Sequence, residues 1–584
     1  MRIRKCSTCL ASFILVVLLL SSCASLPERK LENAFEYQRL KYSELSLNRP
    51  IRSAYQDAAD RALMIEKAGG SEQFVSLLEL GDDALLARVH LIRAARRSID
   101  LQTFIWRDDP TSRFLFDELV AAAERGVLVR LLIDGLNMPA KPEQLARMAS
   151  AHRNLEICLY KPLSWNSESS RIGFWKNLLF KARHMNRRMH NKLLLIDGRI
   201  GIVGGRNYEG KYYDRNREFL FRDRDVIVAG PSALDMQESF ELFWQDKRSV
   251  FLTQLKDVQK KFSKLTSGGD PFLAEANRGL FEEIDQLANE YQLDKYRPRL
   301  KIYGADLVEF VADTPRKFRM KDGANKLDEW FISAFESAEH QLVYQTPYLI
   351  YDRGTRKAFQ KLHERNSSFR IIASSNSLAA ADHMHVYALS FKHRKALYKK
   401  SGIDIYESKP YPGDREQYVY NYSALKHLGK KPRLCIHSKS FTVDGKTAMI
   451  GSHNFDPRSA KLNTECGLFI RDEEVAKELE RLILNACKPQ NSWTVGKLPE
   501  IPLISYFSGL IGAISTAMPI FDVWPYRYTS NYELNDGGTP VSPRDEKFQE
   551  NYYNVGQFPE VNNSSSEIKT KLIKTFFGWT RPLM

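Results

Sequence analysis

Cysteine is scarce in this chain, with seven among 584 residues. Four of them lie far apart and without the spacing of metal ligands: Cys158, Cys435, Cys466 and Cys487. Strand alternation places Cys435 on the face of His437 but Cys466 on the face opposite Glu465, so we predict no disulfide between them. The expectation is four buried free thiols.

A membrane-spanning segment is missing at the amino terminus, because the apolar run from Leu10 to Leu20 is too short to cross a bilayer. Three basic residues precede this run, which predicts a signal peptide. The following LSSC is similar to the lipobox of bacterial lipoproteins, which implies cleavage before Cys23 and acylation of that cysteine. We therefore expect a lipoprotein anchored to a membrane of the bacterial cell envelope, with its folded domains outside the cytoplasm. An ordinary secretory signal or a short uncleaved anchor is the alternative.

Acidic residues are outnumbered, 71 against 86 basic ones, which gives a formal charge of +15. Removing residues 1–22 takes away three basic residues and no acid, so the charge falls to +12. A basic balance fits an anionic phospholipid surface or a nucleic acid, and charge alone does not choose between them. The expected lipid anchor favours a membrane surface, so nucleic acid is the less favoured partner.

Residues 190–218 and 437–465 share a pattern of seven positions at a constant offset of 247 residues. The matched pairs are His190/His437, Lys192/Lys439, Asp197/Asp444, Gly204/Gly451, Asn207/Asn454, Asn216/Asn463 and Glu218/Glu465. A single His-x-Lys occurs readily by chance, whereas a duplicated seven-position pattern does not. We interpret it as an internal duplication.

Each copy predicts a β-hairpin, because apolar runs flank an Asp-Gly pair. Alternation along the strand puts the histidine and lysine of each copy on one face. Two such hairpins side by side would bring two imidazoles, two ammonium groups and two asparagine amides together, which suits a phosphodiester. One histidine can attack phosphorus, the other can protonate the leaving oxygen, and the lysines can stabilise charge on the phosphoryl oxygens. The two glutamates suit an orienting role behind the histidines.

The pattern His-x-Lys-x4-Asp-x6-Gly-[Gly/Ser]-x-Asn, present twice, resembles the phospholipase D superfamily. The surrounding strings NRRMHNK, SIDLQTFIW, SNSLAAAD and IGSHNFDPRSAKLNTE resemble the bacterial cardiolipin synthase C type, over roughly residues 77–490. The resemblance implies six catalytic residues: His190, Lys192, Asp197, His437, Lys439 and Asp444. It implies substrate-binding roles for Asn207, Asn454, Glu218 and Glu465.

The resemblance implies a transphosphatidylase in which His190 is the nucleophile and His437 acts as acid and then base, although the symmetry of the motifs leaves the two roles interchangeable. The two motif aspartates lie at Asp-Gly turns, so we expect them to act mainly through stability. We predict no metal and no other cofactor, because no carboxylate or histidine cluster apart from the motifs has ligand spacing.

The substrates implied by the resemblance are phosphatidylglycerol and a second phospholipid, with phosphatidylethanolamine as one option. The expected product is cardiolipin. The main alternative is a hydrolase of the same chemistry, either a phospholipase D or a nuclease, with water as acceptor. A lipoprotein that only binds anionic lipid is a further alternative, but it would usually have lost one of the four histidine and lysine positions, and all four are intact.

Helical and strand patterns alternate in the same order in both halves, which predicts two duplicated α/β domains, each a mixed sheet flanked by helices and related by a pseudo-twofold axis. The predicted organisation is a signal peptide (1–22), a lipidated tether (23–76), a first domain (77–250), a helical connector (251–300), a second domain (301–490) and a carboxyl-terminal extension (491–584).

Three segments suggest contact with a membrane surface. Residues 165–188 interleave aromatic and basic side chains, and we expect them to limit the access of water to the site; a loop packed on its own domain is an equal alternative. Residues 501–521 carry no charge, but their prolines and glycines favour a buried or interfacial segment over a spanning helix. Residues 567–584 predict an interfacial helix.

Overall fold

The computed structural model describes residues 50–138, 141–168, 186–262, 274–318, 326–351, 353–366, 368–420, 431–499 and 528–561, together with positions 272 and 422. The expected signal peptide, Cys23, most of the aromatic-basic segment 165–188, and the segments 501–521 and 567–584 lie outside these ranges. No helix within them is long and apolar enough to cross a membrane.

The first half of the chain forms a nine-stranded mixed sheet with helices. Its elements are α1 (Ala54–Lys67), β1 (Gln73–Leu78), α2 (Gly81–Ala94), β2 (Ser98–Thr103), α3 (Pro110–Glu124), β3 (Leu128–Asp134), α4 (Pro142–Ser150), β4 (Leu155–Tyr160), β5 (Arg188–Met189), β6 (Leu193–Ile196), β7 (Ile200–Gly204), β8 (Phe219–Arg222), β9 (Asp225–Ala229), α5 (Ser232–Trp244) and β10 (Ser249–Phe251). Short helices α6 (Lys256–Phe262) and α7 (Glu282–Leu287) follow, and then β11 (Tyr303–Ala305). The nine strands of the sheet have the order β10-β4-β3-β2-β6-β7-β9-β1-β11, and β5 and β8 lie outside it.

The second half forms a ten-stranded mixed sheet. Its elements are β12 (Leu307–Ala312), α8 (Lys326–Glu336), β13 (Gln341–Gln345), α9 (Arg353–Arg365), β14 (Arg370–Asn376), α10 (Met384–Lys400), β15 (Ile403–Ser408), β16 (Arg433–Ile436), β17 (Ser440–Val443), β18 (Thr447–Gly451), α11 (Pro457–Lys461), β19 (Asn463–Thr464), β20 (Cys466–Arg471), α12 (Glu473–Ala486), β21 (Ser492–Lys497), β22 (Thr529–Leu534), α13 (Phe548–Asn551) and β23 (Tyr552–Gly556). The ten strands of the sheet have the order β12-β20-β18-β17-β13-β14-β15-β21-β22-β23, and β16 and β19 lie outside it.

The two sheets repeat one topology. The order β4-β3-β2-β6-β7-β9-β1 in the first corresponds to β15-β14-β13-β17-β18-β20-β12 in the second. In each, three central strands are parallel and the hairpin of the motif joins them antiparallel. The predicted duplication into two α/β domains is confirmed.

The domains share a core and exchange short strands. One apolar cluster includes side chains of both sheets together with α5 and α12, for example Val203, Phe240, Ile450 and Leu479. Strand β5 of the first domain pairs in parallel with β19 of the second, and β16 of the second pairs in parallel with β8 of the first. The exchange is reciprocal, as a pseudo-twofold relation requires, and it leads directly into the two histidines.

The predicted tether and connector are not spacers where the structure describes them. Helix α1 packs on the first sheet through buried Tyr55, Ala59 and Ala62, and the Tyr55 hydroxyl donates to the carbonyl of Leu300. The connector buries Phe281 and other apolar side chains in the core of the first domain. The boundaries at 76, 251 and 300 are therefore wrong, because apolar burial ties these segments to the first domain.

The carboxyl-terminal extension is also part of the second domain over much of its length. Strand β21 pairs with β15, and β22 and β23 extend the same sheet. Arg394 on α10 bonds Asn531 and Glu407, so the added strands are joined to the sheet through buried polar contacts. The boundary at 490 therefore cuts through a sheet. The four described cysteines are buried and free, as predicted.

Candidate active site

Each histidine is held in place by a strand from the other domain. The His190 amide, which follows β5, donates to the carbonyl of Thr464 at 2.9 Å. The His437 amide, which follows β16, donates to the carbonyl of Arg222 at 2.7 Å. The two His-x-Lys motifs therefore meet at the junction of the domains, as the duplicated pattern predicts.

A buried carboxylate from the opposite domain lies behind each histidine. Glu465 Oε2 is 2.8 Å from His190 Nδ1, and Asp223 Oδ2 is 2.5 Å from His437 Nδ1. Both carboxylates are fully buried. The arrangement can fix the orientation and tautomer of each imidazole, which is the usual role of a carboxylate behind a catalytic histidine.

Glu465 lies behind His190, where its predicted orienting role requires it, but Glu218 does not lie behind His437. Glu218 is exposed, and Asp223 lies in its expected place. The repeats differ in loop length: Asp223 follows Asn207 by 16 residues, whereas Glu465 follows Asn454 by 11. A constant offset therefore selects the wrong acid. Counting back from the next strand would have found Asp223, because each acid lies one or two residues before β9 or β20.

The motif lysines are buried beside the histidines. Lys192 Nζ donates to the His190 carbonyl at 2.8 Å and lies 5.6 Å from the Phe104 ring centre. Lys439 Nζ is 2.8 Å from His437 Nδ1 and also donates to the His437 carbonyl. Burial lowers the pKa of Lys192 to about 7, and burial also lowers the pKa of Lys439. These ammonium groups lack a full shell of water, so an anionic phosphodiester would stabilise their charge.

Burial also favours the neutral form of both imidazoles. It lowers the pKa of His190 to about 4, outweighing the opposite effect of Glu465. Burial and then the charge of Lys439 lower the pKa of His437. Lys439 also lowers the pKa of His190, so the two motifs form one electrostatic site.

The carboxylates remain ionised. Burial alone would raise the pKa of Asp223, but the ammonium of Lys439 and the interaction with His437 outweigh it and hold the pKa well below its usual range. The interaction with His190, including the hydrogen bond to Nδ1, has the same effect on the pKa of Glu465. An ionised carboxylate behind a neutral imidazole places the proton on Nδ1 and leaves the lone pair on Nε2. That is the form required of a nucleophile or a base.

Two further polar residues anchor the histidine strands, and the sequence did not single them out. Asp134, the last residue of β3, accepts from Arg188 at 2.6 Å and from the Met189 amide at 3.2 Å. Asn376, the last residue of β14, bonds both the amide and the carbonyl of Ile436, at 2.7 and 2.8 Å. Both residues end corresponding strands of the two repeats, and a comparison of the predicted strand ends could have found them.

The two motif asparagines differ in their surroundings. The buried Asn207 accepts from the Ile105 amide at 3.1 Å and donates to the Tyr212 hydroxyl at 3.0 Å. Both ends of its amide thus have a protein partner, and its assignment as a substrate-binding residue stays a prediction. Asn454 is half-buried, and its Oδ1 accepts no hydrogen bond within the described residues, so the substrate-binding prediction stands for Asn454.

The motif aspartates stabilise turns and do not reach the histidines. Asp197 accepts from the amides of Arg96, Arg97 and Ser98, and Asp444 from those of Glu339, His340 and Gln341. Both have positive φ, 56° and 53°, which aspartate tolerates in tight hairpin turns. Their assignment as catalytic is therefore corrected, and the expected role in stability fits these contacts.

Aromatic rings line the histidines, with Phe104 edge-on to His190 at 4.8 Å and Tyr212 edge-on to His437 at 5.2 Å. Within the described ranges, no group of three or more histidine, cysteine, aspartate and glutamate side chains is placed to hold a metal ion. The chemistry that these residues can perform is nucleophilic and acid-base attack on a bound phosphodiester.

Comparison with known proteins finds the following similarities. A family model described as "Cardiolipin synthase, PLD-like domain" matches residues 89–244 and 331–486. Cardiolipin synthase C of Escherichia coli (strain K12) is 31% identical over 415 residues, covering 70% of this chain and 84% of that protein. A cardiolipin synthase of Staphylococcus aureus is 23% identical over 463 residues, covering 79% and 74%. The crystal structure of phosphatidylserine synthase from Haemophilus influenzae Rd KW20 aligns at a TM-score of 0.47 and 14% identity, covering 79% and 97%.

Proposed function

The chain belongs to the cardiolipin synthase, phospholipase D-like family and is a phosphatidyltransferase of that superfamily, and we propose that it forms cardiolipin from phosphatidylglycerol and a second phospholipid. The observation that carries the proposal is the pair of neutral imidazoles, each backed by a buried carboxylate of the other domain. Two lysines in the same site supply the positive charge that a phosphodiester requires.

In the first step, His190 Nε2 attacks the phosphorus of the donor lipid. The bond from phosphorus to the head-group oxygen breaks, and that oxygen takes a proton from His437, so that the head alcohol leaves. A phosphatidyl group remains on His190. Glu465 stabilises the positive charge that develops on His190.

In the second step, the acceptor hydroxyl gives its proton to His437 while its oxygen attacks phosphorus. The bond from phosphorus to His190 breaks, which restores the free imidazole and releases the new diester. With phosphatidylglycerol as acceptor the product is cardiolipin. Asp223 stabilises the protonated form of His437 in each half of the cycle.

The substrate itself supplies the protonation state that the first step needs. In the free site, burial and Lys439 keep His437 neutral, yet this residue must donate a proton. A phosphodiester anion among the two imidazoles and two ammonium groups would raise the pKa of His437 and of both lysines. Binding of the donor lipid would therefore protonate His437, the general acid of the first step.

Two observations favour a lipid substrate over nucleic acid. The relatives are named cardiolipin synthases, and the lipobox predicts an anchor at a membrane, whose anionic surface the basic net charge also fits. We propose that the mature chain is acylated at Cys23 and works at a membrane of the bacterial cell envelope. Residues 165–188 are proposed to limit the access of water.

The test is incubation of the purified protein with labelled phosphatidylglycerol, with and without phosphatidylethanolamine, followed by lipid analysis. We expect cardiolipin together with free glycerol or ethanolamine. His190→Ala and His437→Ala should each abolish the reaction, whereas His340→Ala, a histidine exposed on the surface, should not. Formation of phosphatidic acid alone would establish a hydrolase instead, and degradation of DNA in lipid-free detergent would establish a nuclease.

A further inference from the structure

A third carboxylate, that of Asp382, lies on the His437 side of the site and is not used by the mechanism above. It follows β14 by six residues, in a loop whose carbonyls at Ala379 and Ala381 accept from Arg433 at 2.8 and 3.1 Å. Arg433 is the first residue of β16, the strand that leads to His437. The loop that carries Asp382 is therefore tied to the strand that carries the acid-base histidine.

The side chain of Asp382 is fixed in position by a tyrosine. The Tyr348 hydroxyl lies 2.8 and 3.0 Å from the two carboxylate oxygens and can donate its proton to one of them. The backbone of Asp382 also contacts the thiol of Cys435. The charge of Asp382 also partly offsets the lowering of the pKa of His437 and of Lys439, so this carboxylate acts on the same site.

Asp382 differs from the other carboxylates of the site in its accessibility. Asp223 and Glu465 are fully buried and occupied by an imidazole, whereas 14% of the Asp382 side chain is exposed. The feature is also asymmetric. Six residues beyond Asp134, the equivalent end of β3, the sequence has Ala140. At this position a carboxylate is therefore present in the second repeat but not in the first.

We propose that Asp382 is a specificity residue that accepts a hydrogen bond from a second hydroxyl of a polyol acceptor, while the reacting hydroxyl faces His437. The proposal rests on the proposed transfer to a lipid alcohol and names what selects that alcohol. A single water with two hydrogen bonds of about 2.8 Å reaches over at most about 5.6 Å. A glycerol head group, with two hydroxyls on neighbouring carbons, reaches farther and can bond an imidazole and a carboxylate that are too far apart for one water to bridge.

The recognition also has an energetic basis. A carboxylate is a strong acceptor for a hydroxyl, and Asp382 keeps acceptor positions beyond those that face the Tyr348 hydroxyl and His383 Nε2, which is 3.6 Å away. Tyr212 and Phe221 form an apolar wall against His437. The acceptor therefore gains a charge-assisted bond that neither water nor a simple alcohol can form in the same pose.

The experiment measures how acceptors compete for the phosphatidyl group. Labelled phosphatidylglycerol vesicles give a ratio of cardiolipin to phosphatidic acid, and the same vesicles with 1-propanol give a ratio of phosphatidylpropanol to phosphatidic acid. Propanol has no second hydroxyl. In Asp382→Asn we expect the first ratio to fall about tenfold, as loss of one charge-assisted bond implies, and the second to change less than twofold.

Two further variants complete the test. Tyr348→Phe releases the carboxylate and should lower the cardiolipin ratio less than Asp382→Asn does, while the exposed control Asp306→Asn should leave it unchanged. An unchanged cardiolipin ratio in Asp382→Asn, or an equal fall in both ratios, would overturn the proposal. If Asp382→Asn does not fold, Tyr348→Phe decides by the same criterion. A wild-type enzyme that makes no cardiolipin would instead refute the proposed function.

Discussion

Replacing Glu465 by glutamine should inactivate His190, although the two residues belong to different repeats. The ionised Glu465 carboxylate, 2.8 Å from Nδ1, holds the proton on that nitrogen and leaves Nε2 free to attack. Glutamine has no charge, and its amide can donate to Nδ1, which favours the tautomer with the proton on Nε2. The Ser452 hydroxyl bonds the same oxygen of Glu465 and can accept from the glutamine NH2 that replaces it, so the fold should survive.

The magnitude follows from the bond that is lost. A buried hydrogen bond to a charged group contributes about 1.5–3 kcal/mol, which corresponds to about 10- to 150-fold in rate. Inversion of the tautomer in a comparable catalytic triad costs about 10⁴-fold. We therefore expect kcat to fall by about 10² to 10⁴. The equivalent change Asp223→Asn should cause a loss of similar size through His437.

The assay is single-turnover release of the head alcohol from labelled phosphatidylglycerol, which reports the attack by His190 before the second step. The control is Glu218→Gln, which matches Glu465 in the sequence pattern but is exposed, and we expect a change of less than twofold. Unaltered thermal unfolding should accompany each variant. A tenfold loss in Glu218→Gln, or near-normal release in Glu465→Gln, would refute the pairing of histidines with carboxylates across the repeats.

Three further predictions concern pH, stability and anchoring. The imidazole of His190 is neutral above pH about 4, and the ammonium of Lys192 is charged below pH about 7. We therefore expect kcat/KM to be greatest between these two pH values. A value of kcat/KM that does not fall at high pH would contradict this. Asp444→Ala loses three amide bonds at a residue of positive φ and should lower the free energy of unfolding by about 2–4 kcal/mol, measured with denaturant, without changing kcat per folded molecule. Cys23→Ser should abolish lipidation and release the mature chain from membranes, and fractionation would show retention if another segment is the anchor.

The duplication, the α/β class and the identity of the histidine and lysine pairs could all be predicted from the sequence. These features depend on residues that are close together in the sequence, because strand alternation, Asp-Gly turns and repeated spacing are all local patterns. The turn role of Asp197 and Asp444 was predictable for the same reason. The domain boundaries were harder to predict, because the burial of Tyr55 on the first sheet and the pairing of β21 with β15 are contacts between residues far apart in the sequence.

The partners of the histidines were decided by the tertiary structure alone. Glu465 is 275 residues from His190, and Asp223 is 214 from His437. Both pairs depend on the exchange of β5 and β16 between domains, and no local pattern specifies which domain supplies a partner. The unequal loops after Asn207 and Asn454 concealed Asp223 from a comparison at constant offset. Sequence order determined which residues could perform the chemistry, and the packing of two repeats around one site determined how they are paired, because that pairing is a property of the interface between them.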